Sequence, residues 1–277
     1  MKKICILFLA TFITGIAFSQ QIKTPAPSPT VNIKQDFALS SIELSYSRPG
    51  VKNRKIFGDL VPYGKLWRTG ANSATTITFG DDVIIDGKKI KAGKYGLLSI
   101  PNENEWTIIL TNQLDVTNPA AYKQEQDVVM VTVKPQIIPF SVENFTILIN
   151  SIKDNSCDLV LIWDNVMVSV PISTDIDSKV MAQIDNAMNN DNRPYFQAAA
   201  YYLANNKDLN KALDWFNKAE AQNPKAYYVI YQKAKCLAKL NRKQEAIDAA
   251  NKSIALAKEA KNDDYVKLNE DLIKSLQ

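Results

Sequence analysis

The segment from Ser47 to Asn72 concentrates cationic, aromatic and amide side chains that could bind a small polar molecule. A guanidinium can hold a carboxylate or a sulfate through paired hydrogen bonds, and an aromatic ring gives a sugar a flat apolar surface. Long connections between strands are also where binding residues tend to lie. We therefore predict a site for a small polar or saccharide-like ligand from these residues: Arg48, Arg54, Tyr63, Trp67, Arg68 and Asn72.

A structural role for the same segment is the alternative. In that interpretation the arginines satisfy carbonyl groups of the loop. An apolar set would then plug one end of the folded domain: Ile56, Phe57, Leu60 and Trp67. The residues alone leave both interpretations open, because neither the period of a strand nor that of a helix runs through this segment.

The chain has no histidine, and this limits the chemistry that it can perform. Histidine is the usual general base near neutral pH and the commonest protein ligand of zinc, copper and nickel. Histidine-dependent catalysis and histidine metal sites are therefore excluded. Asp81, Asp82 and Asp86 lack the alternating oxygen ligands of a calcium loop, and we interpret them as solvated turn residues. We expect no cofactor, no metal site and no catalytic residue.

Residues 1–19 have the pattern of a secretory signal peptide. Lys2 and Lys3 precede an apolar run of about 15 residues, shorter than the roughly 20 that a spanning helix requires. Small residues, Ala17 and Ser19, come before Gln20, where we expect cleavage. No cysteine follows that position, so we do not expect a lipoprotein. The prediction is an exported, soluble protein, periplasmic or extracellular, with no transmembrane segment after cleavage.

The residues that follow the signal give little sign of a charged partner. Residues 20–30 form a proline-rich linker, with Pro25, Pro27 and Pro29. The formal net charge of the whole chain is +4, and removal of the two signal lysines lowers it by two. So small a charge gives no electrostatic footprint for nucleic acid, and we expect no nucleic-acid partner. Cys157 and Cys236 are interpreted as two buried free thiols.

Residues 31–173 predict an antiparallel β-sandwich or barrel-like domain. Apolar and polar residues alternate in short runs, as in Ile42, Leu44 and Tyr46, and no helical segment intervenes. Asp86-Gly87 is typical of a tight hairpin turn with positive φ. Later runs predict separate strands at 159–163 and 166–170. About ten short strands of this kind are typical of an all-β domain.

Residues 174–277 predict an all-α domain, so the fold class is two-domain, β then α. Apolar residues recur with a period of 3.6, and small residues recur 34 positions apart, as in Ala212 and Ala246. We predict two repeated helical hairpins, residues 193–226 and 227–260. A C-terminal capping helix would bury Tyr265, Leu268 and Leu272 on one face.

Two resemblances follow from these motifs. The repeat period and its alanines resemble tetratricopeptide repeats over about residues 193–260. The segment 47–72, with Asp86-Gly87-Lys88, Ala92-Gly93-Lys94-Tyr95 and Trp106-Thr107-Ile108-Ile109, resembles an exported bacterial family, domain of unknown function 2911, which is common in Bacteroidota. That match covers about residues 30–172. The family pattern continues after Asn72 with glutamate where this chain has Ser73, so a role of that glutamate would be absent here.

The tetratricopeptide resemblance implies a concave surface lined by the first helix of each repeat. The inward positions would be Gln197, Tyr201, Asn205, Tyr228, Tyr231, Lys235 and Lys239. Tyrosines with lysines and amides suit the binding of a protein partner. The alternative is that these helices serve only to dock or to space.

We therefore predict an exported, non-catalytic binding or scaffold protein. The sandwich would recognise a small polar or saccharide-like ligand, and the helical repeats would bind an unknown protein partner. One alternative is a carboxylate-dependent hydrolase or transferase of the cell envelope, although nothing selects a pair of carboxylates. Another is a purely structural component of an envelope assembly.

Overall fold

The computed structural model describes residues 24–190 and 193–277, and these form two compact units that divide after Thr174. The first unit is built from strands and the second from helices, which confirms the predicted order of β then α. The predicted signal peptide and the first four residues of the predicted linker lie outside the described residues.

The β unit is a sandwich of two antiparallel sheets. Its strands are β1 Thr30–Phe37, β2 Ser40–Ser47, β3 Thr76–Phe79, β4 Val83–Ile85, β5 Lys88–Ile90, β6 Gly93–Ile100, β7 Trp106–Thr111, β8 Asp127–Val133, β9 Gln136–Asn150 and β10 Ser156–Ser173. A six-stranded sheet has the order β1-β2-β3-β6-β7-β8, and a four-stranded sheet has the order β5-β4-β10-β9. One apolar core joins the two sheets.

Alternation along each strand explains why the sheets stack. In β2 the side chains of Ile42, Leu44 and Tyr46 are buried, and Glu43 between them is exposed. The tight hairpin between β4 and β5 is confirmed, because Asp86 and Gly87 have φ values of 50° and 72°. Both central residues of this turn type need positive φ.

The second half of the four-stranded sheet differs from the prediction. The runs 159–163 and 166–170 were expected as two strands, but β10 passes through both. The register of β9 and β10 shifts on either side of Asp164, whose φ is 51°. An aspartate tolerates this conformation, so Asp164 makes a β-bulge that bends the strand instead of ending it.

The helical unit contains six helices in its described part. They are α1 Asp177–Met188, α2 Tyr195–Ala204, α3 Leu209–Gln222, α4 Tyr227–Lys239, α5 Lys243–Glu259 and α6 Asp263–Leu276. From α2 onwards each helix packs on the next, and α4 also packs on α2 and α6. Among the described residues no helix is both long enough and apolar enough to cross a bilayer.

Positions 34 residues apart are buried in pairs. Alanines at 212 and 246 have no exposed surface, and Phe216 with Ala250 and Leu203 with Leu237 are likewise buried. Small side chains let two helix backbones approach closely, which accounts for alanine at these positions. The limits of the two repeats stay a prediction.

One predicted apolar face is wrong in part. Leu268 of α6 is 42% exposed, whereas Asn269 beside it has no exposed surface. Tyr265 and Leu272 are half-buried, as expected. The buried face of α6 is therefore centred on Asn269, a hydrogen-bonded asparagine, and Leu268 lies at the edge of that face.

Candidate functional site

The arginines of segment 47–72 donate hydrogen bonds to the protein's own atoms, mostly backbone carbonyls. Arg48 donates from Nε to the carbonyl of Phe145 over 3.1 Å and from Nη2 to Oγ1 of Thr146 over 2.8 Å. Arg54 donates to the carbonyls of Val51 and Gly50, over 3.1 and 2.6 Å. These contacts hold the loop to itself and to β9.

Arg68 and Asn72 form a second, separate set of backbone contacts. Nη1 of Arg68 donates to the carbonyl of Asn72 over 3.0 Å and to that of Thr117 over 2.7 Å. The side-chain amide of Asn72 donates to the carbonyl of Ser28 over 3.1 Å. Both residues therefore join stretches of chain that are distant in sequence. For Arg68 this is the structural role that the sequence analysis set against ligand binding.

Trp67 belongs to an aromatic cluster at the edge of the sandwich core. Its ring stacks on Trp163 with centroids 5.7 Å apart and meets the edge of Phe145 at 4.9 Å. Phe57 and Trp106 lie 6.3 and 6.4 Å from it. Its indole nitrogen donates to the carbonyl of Gly70 over 3.1 Å. Such a cluster favours a packing role for Trp67.

Two large apolar or aromatic side chains of the segment are exposed to solvent. Leu60, expected in the apolar plug, is 44% exposed, so the plug consists of Ile56, Phe57 and Trp67. Tyr63, predicted as a ligand residue, is 37% exposed. The segment thus brings its predicted ligand residues into one loop system, but most of their polar atoms are already hydrogen-bonded within the fold.

The predicted partner-binding residues of the helical unit fall into two groups. Three of them bond to other atoms of the helical unit: Tyr201 on α2 donates to Oδ1 of Asp177 in α1 over 2.9 Å, and the exposed Asn205, which follows α2, donates to the carbonyl of Tyr201 over 3.0 Å. Lys239 donates to the carbonyl of Leu203 and to Oδ1 of Asn206. Gln197 is exposed.

The remaining three, Tyr228, Tyr231 and Lys235, stand along α4. Tyr228 is 39% exposed. Nζ of Lys235 lies 5.5 Å from the centre of the Tyr231 ring, within the range of a cation–π contact. Burial raises the pKa of the Tyr231 hydroxyl, and the nearby Tyr265 and Asp271 raise it further.

These tyrosines belong to an aromatic ladder that connects α2, α4 and α6. Phe196 meets Tyr228 at 5.3 Å, and Tyr227 meets Tyr228 at 5.8 Å and Tyr265 at 5.0 Å. Tyr231 meets Tyr265 at 5.7 Å. We use the name aromatic ladder for this set: Phe196, Tyr227, Tyr228, Tyr231 and Tyr265.

Sequence reasoning missed Phe196 and Tyr227 as members of the ladder, and it placed Tyr265 only on the apolar face of the capping helix. A signal for two of them was present, since adjacent aromatic pairs begin both α2 and α4. These pairs, Tyr195-Phe196 and Tyr227-Tyr228, stand 32 positions apart, so a search restricted to a period of 34 does not align them.

A buried polar network holds α6 to the rest of the helical unit. The side-chain amide of Asn269 donates to Oγ of Ser253 over 2.9 Å and to the carbonyl of Tyr265 over 2.6 Å. Ser253 in turn donates to the carbonyl of Tyr227 over 2.8 Å. This network lies beneath the ladder and fixes the position of Tyr265 relative to Tyr227.

Two aspartates of the β unit have shifted pKa values, one raised and one lowered. Tyr122 donates to Oδ2 of Asp127, while Oδ1 of Asp127 is buried without a partner among the described residues. Burial raises the pKa of Asp127. Asp82 accepts from the backbone of Ala92 and from Lys91, which lowers its pKa to about 2. Within residues 24–190 and 193–277, no group of three acidic or cysteine side chains could hold a metal ion.

The two cysteines are buried free thiols, as predicted. Burial raises the pKa of Cys157 to about 11, and it also raises that of Cys236. Sγ of Cys236 donates to the carbonyl of Leu209. A thiol that stays protonated near neutral pH is a poor nucleophile, which favours packing over reactivity for both.

Comparison with known proteins assigns the β unit to a family. The family model described as a protein of unknown function, DUF2911, matches residues 28–172, just over half of the 277 residues. No curated protein and no solved structure gives a significant match. The matched range agrees with the predicted resemblance and covers nearly all of the sandwich. The chain therefore belongs to the DUF2911 family of proteins of unknown function.

Proposed function

We propose that this chain is an exported binding protein whose helical unit holds a segment of a partner protein against the aromatic ladder. The observation that carries the proposal is the ladder itself, which connects α2, α4 and α6 and leaves Tyr228 39% exposed. Tyrosine rings with one open side bury large area at low cost in side-chain entropy, so they are favoured at protein interfaces.

The helices that carry the ladder also support this function. α4 packs on both α2 and α6, and the network of Asn269 and Ser253 fixes α6. A surface held in this way loses little freedom when a partner binds. The three helices would be the first helices of successive tetratricopeptide-like units, at 193–226, at 227–260 and in the C-terminal helix.

Lys235 gives the ladder a preference among partners. Its ammonium lies over the face of Tyr231 and has no acidic partner among the described residues. A partner segment that combines apolar side chains with one carboxylate could fill the open ring faces and pair with this ammonium. We therefore expect acidic-apolar segments to bind more tightly than basic ones.

Recognition of a small ligand through segment 47–72 carries less weight in this proposal. Arg48, Arg54 and Arg68 each donate two hydrogen bonds to atoms of the fold, and Trp67 packs against the core. A ligand at this place would have to displace those contacts. Export belongs to the proposal as well, on the strength of residues 1–19.

Selection from a displayed library of random peptides on the purified chain tests the proposed function. We expect enrichment of acidic-apolar peptides whose affinity falls about tenfold or more in Tyr228→Ala, because an exposed interface tyrosine often acts as a hot spot. Tyr63→Ala is the matched control, since Tyr63 is 37% exposed and lies in the β unit. Failure to enrich any peptide, or equal loss in both variants, would contradict the proposal.

A further inference from the structure

The outer face of the six-stranded sheet carries a row of polar residues that is interrupted at Gly96 of β6. The register places Ser45 opposite Asn32 and Thr76, and Thr76 opposite Gly96. Gly96 lies opposite Thr111, which lies opposite Asp127. The inner face of the same strands is mainly apolar, and this row of hydroxyl, amide and carboxyl groups lies on the outside of the sandwich.

A second row follows beside it, two residues along each strand. It consists of Lys34, Glu43, Thr78 and Lys94, which face one another across β1, β2, β3 and β6. Nζ of Lys34 lies 3.0 Å from Oε1 of Glu43. Lys94 has no ion-pair partner in the part of the chain that the structure describes.

The two rows line a groove of about 390 Å³, which we call the sheet-face groove. Its volume lies within the usual range for small-molecule sites, about 300–1,000 Å³. Thr76 forms part of its floor and is largely buried, while Lys34 and Lys94 are exposed on opposite sides of Glu43 and Thr78. The groove is separate from segment 47–72, since none of its lining residues belongs to that segment.

Gly96 marks the point where the polar row passes beneath a covering loop. A Cβ atom at Gly96 would stand 2.3 Å from the carbonyl oxygen of Gln113, so no side chain fits there. Beyond this point Val116 and Tyr122 cover the apolar outer residues Leu98 and Ile109. The row is therefore open to a ligand at Asn32 and Ser45, with Thr76 on the floor, and closed under the loop at Thr111 and Asp127.

The chemistry of the open part selects one class of ligand. Directly opposed residues on neighbouring strands have Cβ atoms about 5 Å apart, which is the scale of the hydroxyl groups on a sugar ring. Hydroxyl and amide side chains can both donate and accept, as sugar hydroxyls do. Because Lys34 forms an ion pair with Glu43, the ammonium of Lys94 remains available to pair with one negative charge on a ligand.

We propose that the sheet-face groove binds a small molecule with several hydroxyl groups and a single carboxylate, of the class of the uronic acids. Lys94 pairs with the carboxylate, and Ser45, Thr76 and Thr78 bind the hydroxyl groups. The site is independent of the aromatic ladder, so the result of its test does not depend on whether the proposed peptide binding is correct.

Calorimetric titration of the full chain with D-glucuronate tests this site. D-glucose offers hydroxyl groups without the charge, and acetate offers the charge without the hydroxyl groups. We expect both to bind about tenfold more weakly than D-glucuronate, since each lacks one half of the recognition. Equal binding of acetate and D-glucuronate would overturn the proposal, and so would absence of saturation up to about 50 mM.

Variants locate the binding in the groove. Lys94→Ala should weaken D-glucuronate about tenfold, and Thr76→Val should weaken it by a smaller factor, because it replaces one hydroxyl by a methyl group. Lys88→Ala is the matched control, an exposed lysine of the other sheet. Circular dichroism checks that each variant is folded. Unchanged affinity in folded Lys94→Ala would overturn the assignment.

Discussion

The two units contain similar sets of cations and aromatic rings but use them differently. In the β unit, Arg48 and Arg54 donate to backbone carbonyls, and Trp67 stacks on Trp163 at the edge of the core. In the helical unit the aromatic ladder stands partly open, and Lys235 lies over a ring without an acidic partner among the described residues.

The difference follows from how each architecture satisfies its backbone. A long irregular loop such as 47–72 leaves carbonyl groups unpaired, so nearby guanidinium groups are drawn into bonding them. A helix bonds its own carbonyl groups, and its side chains stay available for contacts with other molecules. Residue type alone is therefore a poor guide to a binding site. Whether a cationic side chain is available to a ligand depends on whether nearby backbone carbonyl groups need a donor.

The largest expected effect is the loss of stability in Trp67→Ala. Removal of a ring that contacts Phe57, Trp106, Phe145 and Trp163 should cost about 3–5 kcal/mol of unfolding free energy in the β unit. Urea denaturation followed by near-UV circular dichroism measures it, with Trp67→Phe as the milder control. A loss below about 1 kcal/mol would mean that Trp67 is available to a ligand, and the comparison would fail.

Arg48→Ala should give the next largest effect. Its guanidinium donates to Phe145 and Thr146 of β9, and loss of charged hydrogen bonds of this kind costs about 1.5–3 kcal/mol. Arg48→Lys keeps the charge but lacks the planar arrangement of donors that reaches both acceptors, so it should recover only part of the loss. The same denaturation experiment measures both variants, and full stability of Arg48→Ala would show that the arginine is free for another role.

Tyr228→Ala should change stability much less than either. The side chain is 39% exposed and its ring packs at the edge of the ladder against Phe196 and Tyr227, so we expect a loss of about 1 kcal/mol or less. Thermal unfolding of the helical unit measures this. A loss comparable to that of Trp67→Ala would mean that the ladder is part of the core, which would remove the contrast between the units.

The smallest expected effect is the pH-dependent loss of stability in Asp82→Asn, a substitution in a charged turn of the β unit. Asp82 has a pKa near 2, and an unfolded aspartate has one near 3.9, so its contribution to stability is present above about pH 4 and declines towards pH 2. Asp82→Asn should therefore have a lower melting temperature than the original chain above about pH 4, and the two should converge towards pH 2. Melting curves across this range test the expectation, and a constant difference at every pH would contradict it.

Local patterns predicted the layout because they depend on neighbours in sequence. Alternation around Ile42 and the turn at Asp86-Gly87 predicted sheet and hairpin, and the pairing of Ala212 with Ala246 predicted repeated helices. Asp164 misled the prediction, since an aspartate between two apolar runs can end a strand or make a bulge, and only the pairing with β9 decides between them.

The candidate sites were harder to predict because their contacts are distant in sequence. The partners of Arg48 lie 97 and 98 residues away, and the sequence holds no sign that they would meet. The sheet-face groove is set by the register of β1, β2, β3 and β6, and a shift of one residue would turn its polar row inward. The ladder was predicted in part, through Tyr228 and Tyr231, since the position within a repeat is a local property.

Hydroxyl-radical footprinting of the full chain, with and without a selected peptide, tests the central claim most directly. Tyr228 and Tyr63 start from nearly equal exposure, 39% and 37%, so their oxidation rates can be compared within one sample. The proposed function predicts that the peptide protects Tyr228 and leaves Tyr63 unchanged. Protection of Tyr63 without protection of Tyr228 would contradict it and would place the binding surface in the β unit.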